Sequence, residues 1–169
     1  MTGHTHAVAG AAAGALAAEF LRLPAAGLPL AILLGAVAAL LPDIDERGSS
    51  VNRRLPLMGA VLGRTLHHRT VTHSILALAA LTLAAHLLLR HVVLPWLGVG
   101  AAGYASHLLC DMLTPAGIDL LWPLGGRIRL GGFVRTGGGL EHGLFLPGFA
   151  AVLAWALWRG VRTLHGPLL

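Results

Sequence analysis

Long apolar runs with polar residues gathered at their ends organise this chain. Residues 23–41 carry no charge, and 74–89 are apolar apart from His86. Residues 92–109 are apolar apart from His107, and 143–158 are apolar throughout, with Pro147 near the start. Crossing a bilayer core takes a helix of ~20 apolar residues, with a range of roughly 17–25. Residues 7–18 form a shorter run ending at Glu19 and Arg22; it is the weakest of the five and is expected to span only in part. The pattern predicts an all-α, polytopic transmembrane bundle of four to five helices. Gly10 and Gly14, with Ala9, Ala13 and Ala17 beside them, have the small-residue spacing that lets helix backbones approach closely in lipid. Pro24 and Pro29 punctuate the first link, Pro42 ends the second run, and Pro95 marks a tight turn between the third and fourth. Two longer polar loops remain, 42–72 and 114–142. The second is glycine-rich over 131–143 and is expected to be mobile, a candidate lid. With no internal repeat and no boundary, residues 1–169 read as one membrane-embedded domain.

Composition strengthens the membrane reading. Hydrophobic residues make up 56% of the chain and charged residues 11%, with a mean hydropathy of +0.75. A soluble chain carries about 25% charged residues, so this one has too little charge to cover a water-facing surface. The net charge is +5 and every basic residue is Arg. Arg47, Arg53, Arg54, Arg64 and Arg69 fall in the first long loop, and Arg127, Arg129 and Arg135 in the second. The positive-inside rule places both loops in the cytoplasm. Five spans then put the N-terminus inside and the C-terminus outside, with Arg159 and Arg162 against the bias. Arginines between apolar runs suit a membrane face rather than nucleic acid, and Arg53, Arg54, Arg127 and Arg129 are expected near anionic headgroups. Trp96, Trp122 and Trp158 read as interface anchors. The lone Cys110, inside an apolar run, reads as a small buried hydrophobe. Residues 2–6 lack Lys and Arg, so the first apolar stretch does not read as a signal peptide.

Up-and-down threading brings a particular chemistry to one end of the bundle. His4 and His6 precede the first helix, and Asp43 and Asp45 follow the second. His67, His68 and His73 precede the third, His107 and Asp111 sit in the last turns of the fourth, and Glu141 and His142 precede the fifth. Polar residues gather at helix ends in any bundle, but these are imidazoles and carboxylates, with almost no Ser, Asn or Gln. Asp43, Asp45, Asp111 and Glu141 together, beside a low-dielectric region, require protons or cations. His107 and Asp111, four apart, share a helix face. Asp43 and Asp45, two apart past a proline, point the same way if extended. His68 and His73 flank a helix start at Thr72. Nitrogen and oxygen donors without thiolates suit Zn, Mn, Fe or Mg; several imidazoles favour Zn or Mn, and the donors suffice for two or three ions. His86, on the far half of its run, reads as a hydrogen-bonder in the bundle interior. His91 and His165 are expected at the opposite surface. Arg69 is placed to bind a phosphate or cap a carboxylate.

The stretches Leu40-Leu41-Pro42-Asp43-Ile44-Asp45, His68-Arg69-Thr70-Val71-Thr72-His73-Ser74 and Ser106-His107-Leu108-Leu109-Cys110-Asp111-Met112-Leu113-Thr114-Pro115-Ala116-Gly117 resemble the YdjM-like family. Thr5-His6, Leu120-Leu121-Trp122-Pro123 and Glu141 fit the same pattern, so the likeness runs from about His6 to Glu141. Its members are regarded as inner-membrane metal-dependent hydrolases without an established substrate. The resemblance implies distant kinship with zinc-dependent phospholipase C and single-strand nucleases, helical enzymes that cleave phosphate esters with clustered zinc ions. It also implies His6, Asp43, Asp45, His68, His73, His107, Asp111 and Glu141 as metal ligands, leaving His4 and His67 as bystanders.

The leading expectation is hydrolysis of a phosphate ester on a lipid or lipid-linked substrate, through a metal-activated water. One of Asp43, Asp45 or Glu141 would act as general base, and Arg69 as a positive clamp. Membrane lipids and an amphiphilic phosphate are the expected partners, and the inner membrane, with the site facing the cytoplasm, the expected location. A divalent-metal transporter or sensor, or a metal-stabilised membrane scaffold, is the alternative. Transport needs a polar path through the bilayer, and these residues stop at one end.

Overall fold

The computed structural model describes residues 1–45, 71–89 and 94–165, which form five α-helices and no strand. They are α1 (Gly3–Phe20), α2 (Leu28–Ala38), α3 (Ile75–Leu88), α4 (Leu94–Met112) and α5 (Leu146–His165). Single 3-10 turns, Ala25–Gly27 and Pro42–Asp45, flank α2, and a wider π turn, Glu141–Phe145, leads into α5. The all-α expectation holds. α2 begins later than its apolar run because Pro24 cannot continue a helix, whereas Pro29 sits in the first turn, where its missing N–H costs nothing. α4 runs past its apolar run to Met112, so Asp111 is helical.

The shortest sequence run forms the central helix, and it is not among the helices apolar enough to cross a membrane. α1 is 18 residues long, half of them buried, and it packs against α2, α4 and α5. Alanine and glycine score low on hydropathy because they are small, and smallness is what the position demands. A Cβ placed on Gly10 would fall 2.5 Å from the Gly35 carbonyl oxygen, and one on Gly14 would fall 2.4 Å from that of Ala31. Across α4, a Cβ on Gly103 would fall 2.3 Å from the Gly35 oxygen. Real Cβ atoms do not approach that closely, so α1, α2 and α4 meet backbone to backbone around Gly35.

At the far end of α1, Arg159 of α5 forms an ion pair with Glu19 at 2.8 Å. Arg159 also lies over the ring of Trp155, and Arg162 over that of Trp158. Trp158 is exposed, as an interface anchor would be; Trp96 is instead half-buried against Ala18, Ala31 and Val99. Cys110 is buried as expected, beside Met1, Ala9 and Val134.

The segment between α4 and α5 is tied down rather than free, against the expectation of a mobile lid. Leu130 N–H donates to Met112 O at 2.6 Å, and Val134 N–H to Leu113 O at 3.1 Å. Ile118 and Ile128 bridge antiparallel, and Val134 is fully buried. His86 is a second correction. It is exposed in a shallow groove between α3 and α4, because no residue of α3 is buried and that helix packs chiefly on α4.

Among the described residues one helical stretch, Glu141–Leu164, is long and apolar enough to cross a membrane; Ala25–Ala38 and Ile75–Leu88 are apolar but shorter. Overpacking a tight contact typically costs ~1–3 kcal/mol. Gly35→Ala and Gly103→Ala are therefore expected to lower thermal stability in detergent by about that amount. Gly100→Ala, whose Cβ would meet only the Leu34 side chain at 3.9 Å, is expected to be neutral. Equal melting of all three variants would refute the backbone contact.

Candidate metal centre

Every fully or nearly buried polar side chain among the described residues lies at one end of the bundle: Thr5, His6, Asp43, His73, Ser74, His107, Asp111, Thr114 and Glu141. Each arrives on a helix terminus. His6 is in the first turn of α1, whose N-cap is Thr2. Asp43 lies in the 3-10 turn after α2. His73 precedes the N-cap Ser74, whose hydroxyl accepts from Ala77 N–H at 3.1 Å and so starts α3. His107 and Asp111 share one face of the last turns of α4.

The donor atoms converge. His73 Nε2 and His107 Nε2 are 3.1 Å apart. Each is 3.6 Å from Asp43 Oδ1, and they are 3.6 and 3.7 Å from Asp111 Oδ2. Donors around a tetrahedral ion with bonds of ~2.0–2.1 Å lie about 3.3 Å apart, so these separations suit a shared cation. His6 adds a second grouping with His107 and Asp111. Its ring stacks on that of His107 at 3.7 Å between centroids, and its Nε2 is 3.2 Å from Asp111 Oδ1. Neither ring nitrogen of the buried His6 makes a well-formed hydrogen bond.

Second contacts fix which nitrogen faces inward. His107 Nδ1–H donates to Ala39 O at 2.7 Å, since a carbonyl can only accept. Its Nε2 is thereby left as a lone-pair donor for a cation, the arrangement typical of metal-bound histidine. His73 Nδ1 lies 3.0 Å from Thr72 Oγ1, which turns its Nε2 inward in the same way. Burial pushes the Asp43 carboxyl up, but its polar contact with His73 and the imidazoles of His107 and His6 more than offset this and hold it below its ordinary value. Asp43 is thus a carboxylate, the form that binds a cation. The terminal ammonium of Met1 lies 2.5 Å from Asp111 Oδ1, leaving Oδ2 towards the two imidazoles.

Of the residues expected here, His6, Asp43, His73, His107 and Asp111 come together. Glu141 does not join either group. Its Oε1 accepts from Thr2 N–H at 2.6 Å and Thr2 Oγ1 at 2.8 Å, and its Oε2 accepts from Gly137 N–H at 2.7 Å. A carboxylate there satisfies an orphan donor at the start of α1 and faces the positive end of its dipole, so it positions the helix that carries His6. His4 and His142 are exposed. His67, His68 and Arg69 lie outside the described residues, as do Arg53 and Arg54; Asp45 is placed only by its backbone, in the 3-10 turn. Sequence reading missed the Ala39 carbonyl, which any residue could supply, and the Thr72 hydroxyl, for which a Thr-His pair at a helix start was the available signal.

Losing a group that orients a ligand typically weakens metal affinity 10–100-fold. Thr72→Val is therefore expected to weaken divalent-ion binding to the purified chain by that factor while leaving helicity unchanged. Titration with Zn²⁺ or Mn²⁺ reads the effect, and an unchanged affinity would show that Thr72 does not orient His73 for an ion. Chelation is expected to lower the melting temperature of the wild-type chain, because an ion bound only to the folded state stabilises it.

Comparison with known proteins adds to the geometry. The chain is 34% identical over 140 residues to Uncharacterized protein YvsG of Bacillus subtilis (strain 168), a match covering 81% of this chain and 82% of that one. It is 36% identical over 138 residues to Inner membrane protein YdjM of Escherichia coli (strain K12), and equally to that of Shigella flexneri, covering 78% of this chain. The match spans 65% of those two relatives, just under two thirds of their length. No solved structure matches the chain. Residues 1–166 match the family described as YdjM inner membrane protein, and the chain belongs to that family.

Proposed function

We propose that this chain is a multi-pass inner-membrane hydrolase that cleaves a phosphate ester of an amphiphilic substrate, with divalent ions held by His6, Asp43, His73, His107 and Asp111. One observation carries the reading: two imidazole nitrogens 3.1 Å apart, both within 3.7 Å of oxygens from two buried aspartates. Such a set is costly to bury unless a cation is shared among its members. The donor chemistry favours zinc, with manganese next.

Bound ions would supply Lewis acidity, bringing the pKa of a water towards ~7 and drawing charge from a phosphoryl oxygen. The protein's own part is positioning. Ala39 O and Thr72 Oγ1 aim His107 and His73, Glu141 anchors the helix that carries His6, and the buried aspartates supply negative charge. Asp45 is the candidate base and Arg69 the candidate phosphate clamp, by their place in the sequence beside Asp43 and His73. A multi-pass arrangement is supported by large apolar side chains exposed on several helices, among them Leu33, Leu83, Leu88 and Leu157. The arginine-rich loops favour a cytoplasmic site. The transport alternative finds no support in the buried polar residues, which among the described residues all lie at one end.

The purified full-length chain, offered a panel of phospholipids and polyprenyl phosphates, is expected to release product only with a divalent ion present. Chelation should abolish turnover, and Asp111→Asn should reduce it by at least about 100-fold, the usual scale for loss of a charged group acting at the transition state. No metal-dependent turnover on any member of the panel would overturn the hydrolase reading.

A further inference from the structure

An apolar groove of about 570 Å³ runs between α2, α3 and α4, within the range of roughly 300–1,000 Å³ usual for small-molecule sites. Leu30, Leu89 and Trp96 line its far end, and Leu41, Leu78 and Tyr104 its near end. The two hydroxyls in its wall are satisfied from within the chain: Thr82 Oγ1 donates to Leu78 O at 2.8 Å, and Tyr104 O–H donates to Thr72 O. Among the described lining residues the remaining polar group is the Trp96 indole N–H; the rest of the wall is hydrocarbon, which favours an apolar occupant.

The near end of this groove is lined by chain neighbours of the residues that converge at the candidate metal centre. Leu41 immediately precedes Pro42 and Asp43. Ala38, another wall residue, adjoins Ala39, whose carbonyl holds His107. Tyr104 lies one helical turn before His107 and binds the carbonyl of Thr72, whose hydroxyl meets His73. From Leu30 to Ala38 the helical wall is about 12 Å long at a rise of ~1.5 Å per residue, and the turn to Leu41 extends it. That is about half of a ~30 Å bilayer core, the depth of one leaflet. A cation-binding cluster at the head of an apolar channel one leaflet deep is complementary to an anionic head on a single long tail.

We propose that the groove seats the hydrocarbon tail of a long-chain lipid phosphate, with its phosphate at the cluster of imidazoles and aspartates. This rests on the hydrolase reading and names the substrate class it would act on. Gly100 faces the groove from α4, and a Cβ there meets nothing closer than Leu34 Cγ at 3.9 Å. A side chain at 100 therefore enters the groove without striking backbone. Ala85 faces it from α3.

The test is photocrosslinking of the full-length chain in detergent with a long-chain alkyl phosphate bearing a mid-chain diazirine, mapped by mass spectrometry. Label is expected on groove residues such as Leu34, Leu97 and Ala101. Unlabelled long-chain alkyl phosphate should displace it, whereas a short-chain alkyl phosphate or inorganic phosphate at the same concentration should not. Gly100→Phe, and Ala85→Trp from the opposite wall, should each reduce groove labelling about tenfold, equivalent to ~1.4 kcal/mol of lost binding. Leu87→Trp, on an exposed face outside the groove, should not. Label spread evenly over outward residues such as Leu83, Leu87 and Leu157, or insensitive to the long-chain competitor, would overturn the proposal in the wild-type chain alone, whether or not the variants fold. Diffuse labelling beside genuine ester hydrolysis would discard the groove and keep the hydrolase; groove labelling without hydrolysis would do the reverse.

Discussion

Three helix backbones touch at Gly35, and the geometry of the candidate metal centre depends on that contact. α1, α2 and α4 approach so closely there that a methyl group on Gly35 would lie 2.3 Å from the Gly10 carbonyl oxygen and 2.8 Å from the Gly14 Cα. The consequence is felt about a helical turn away. α2 ends so that Ala39 O reaches His107, and α1 begins so that His6 stacks on the same ring. Larger residues at the crossing would push the helices apart and draw these donors out of range of one another. In a bundle with little polar packing, close van der Waals contact between small residues is the available source of precise placement.

The cluster itself is a problem that burial creates and a bound cation would resolve. Asp43 and Asp111 carry negative charge where water is scarce, and three imidazoles surround them. Backbone and hydroxyl partners on the outer nitrogens of His73 and His107 turn the inner nitrogens towards the carboxylates. Glu141 works at one remove: it secures the first turn of α1 and the Gly137 loop together. The strap from α4 to α5 closes over this end through hydrogen bonds to Met112 and Leu113. Among the described residues the site is therefore held by fixed elements.

Much of the centre was legible in the sequence because alternating helices force their like ends together. Threading and residue type collect a wider set that includes His6, Asp43, His73, His107 and Asp111, and the family resemblance narrows it by setting aside His4 and His67. What one chain of letters does not give is direction around a helix axis. Glu141 reads from the sequence as a ligand or a general base; in the structure its carboxylate instead accepts from Thr2 and Gly137 at the start of α1. His86 sits in an apolar run that looks internal, yet α3 buries none of its residues. Gly10 and Gly14 announced a close contact, but their partners Gly35 and Gly103 depend on a register between helices that spacing within one helix cannot fix. α1 looked weak because hydropathy rewards large side chains, and its place at the centre requires small ones. The groove beside Tyr104 is a property of three helices at once and has no signature in any of them alone.

X-ray absorption at the metal edge of the purified, metal-loaded chain tests the central claim most directly. The account predicts only nitrogen and oxygen neighbours at ~2.0–2.1 Å, with imidazole scattering that diminishes in His107→Ala. An ion with sulfur neighbours, or a spectrum and metal content unchanged by His107→Ala, would contradict it.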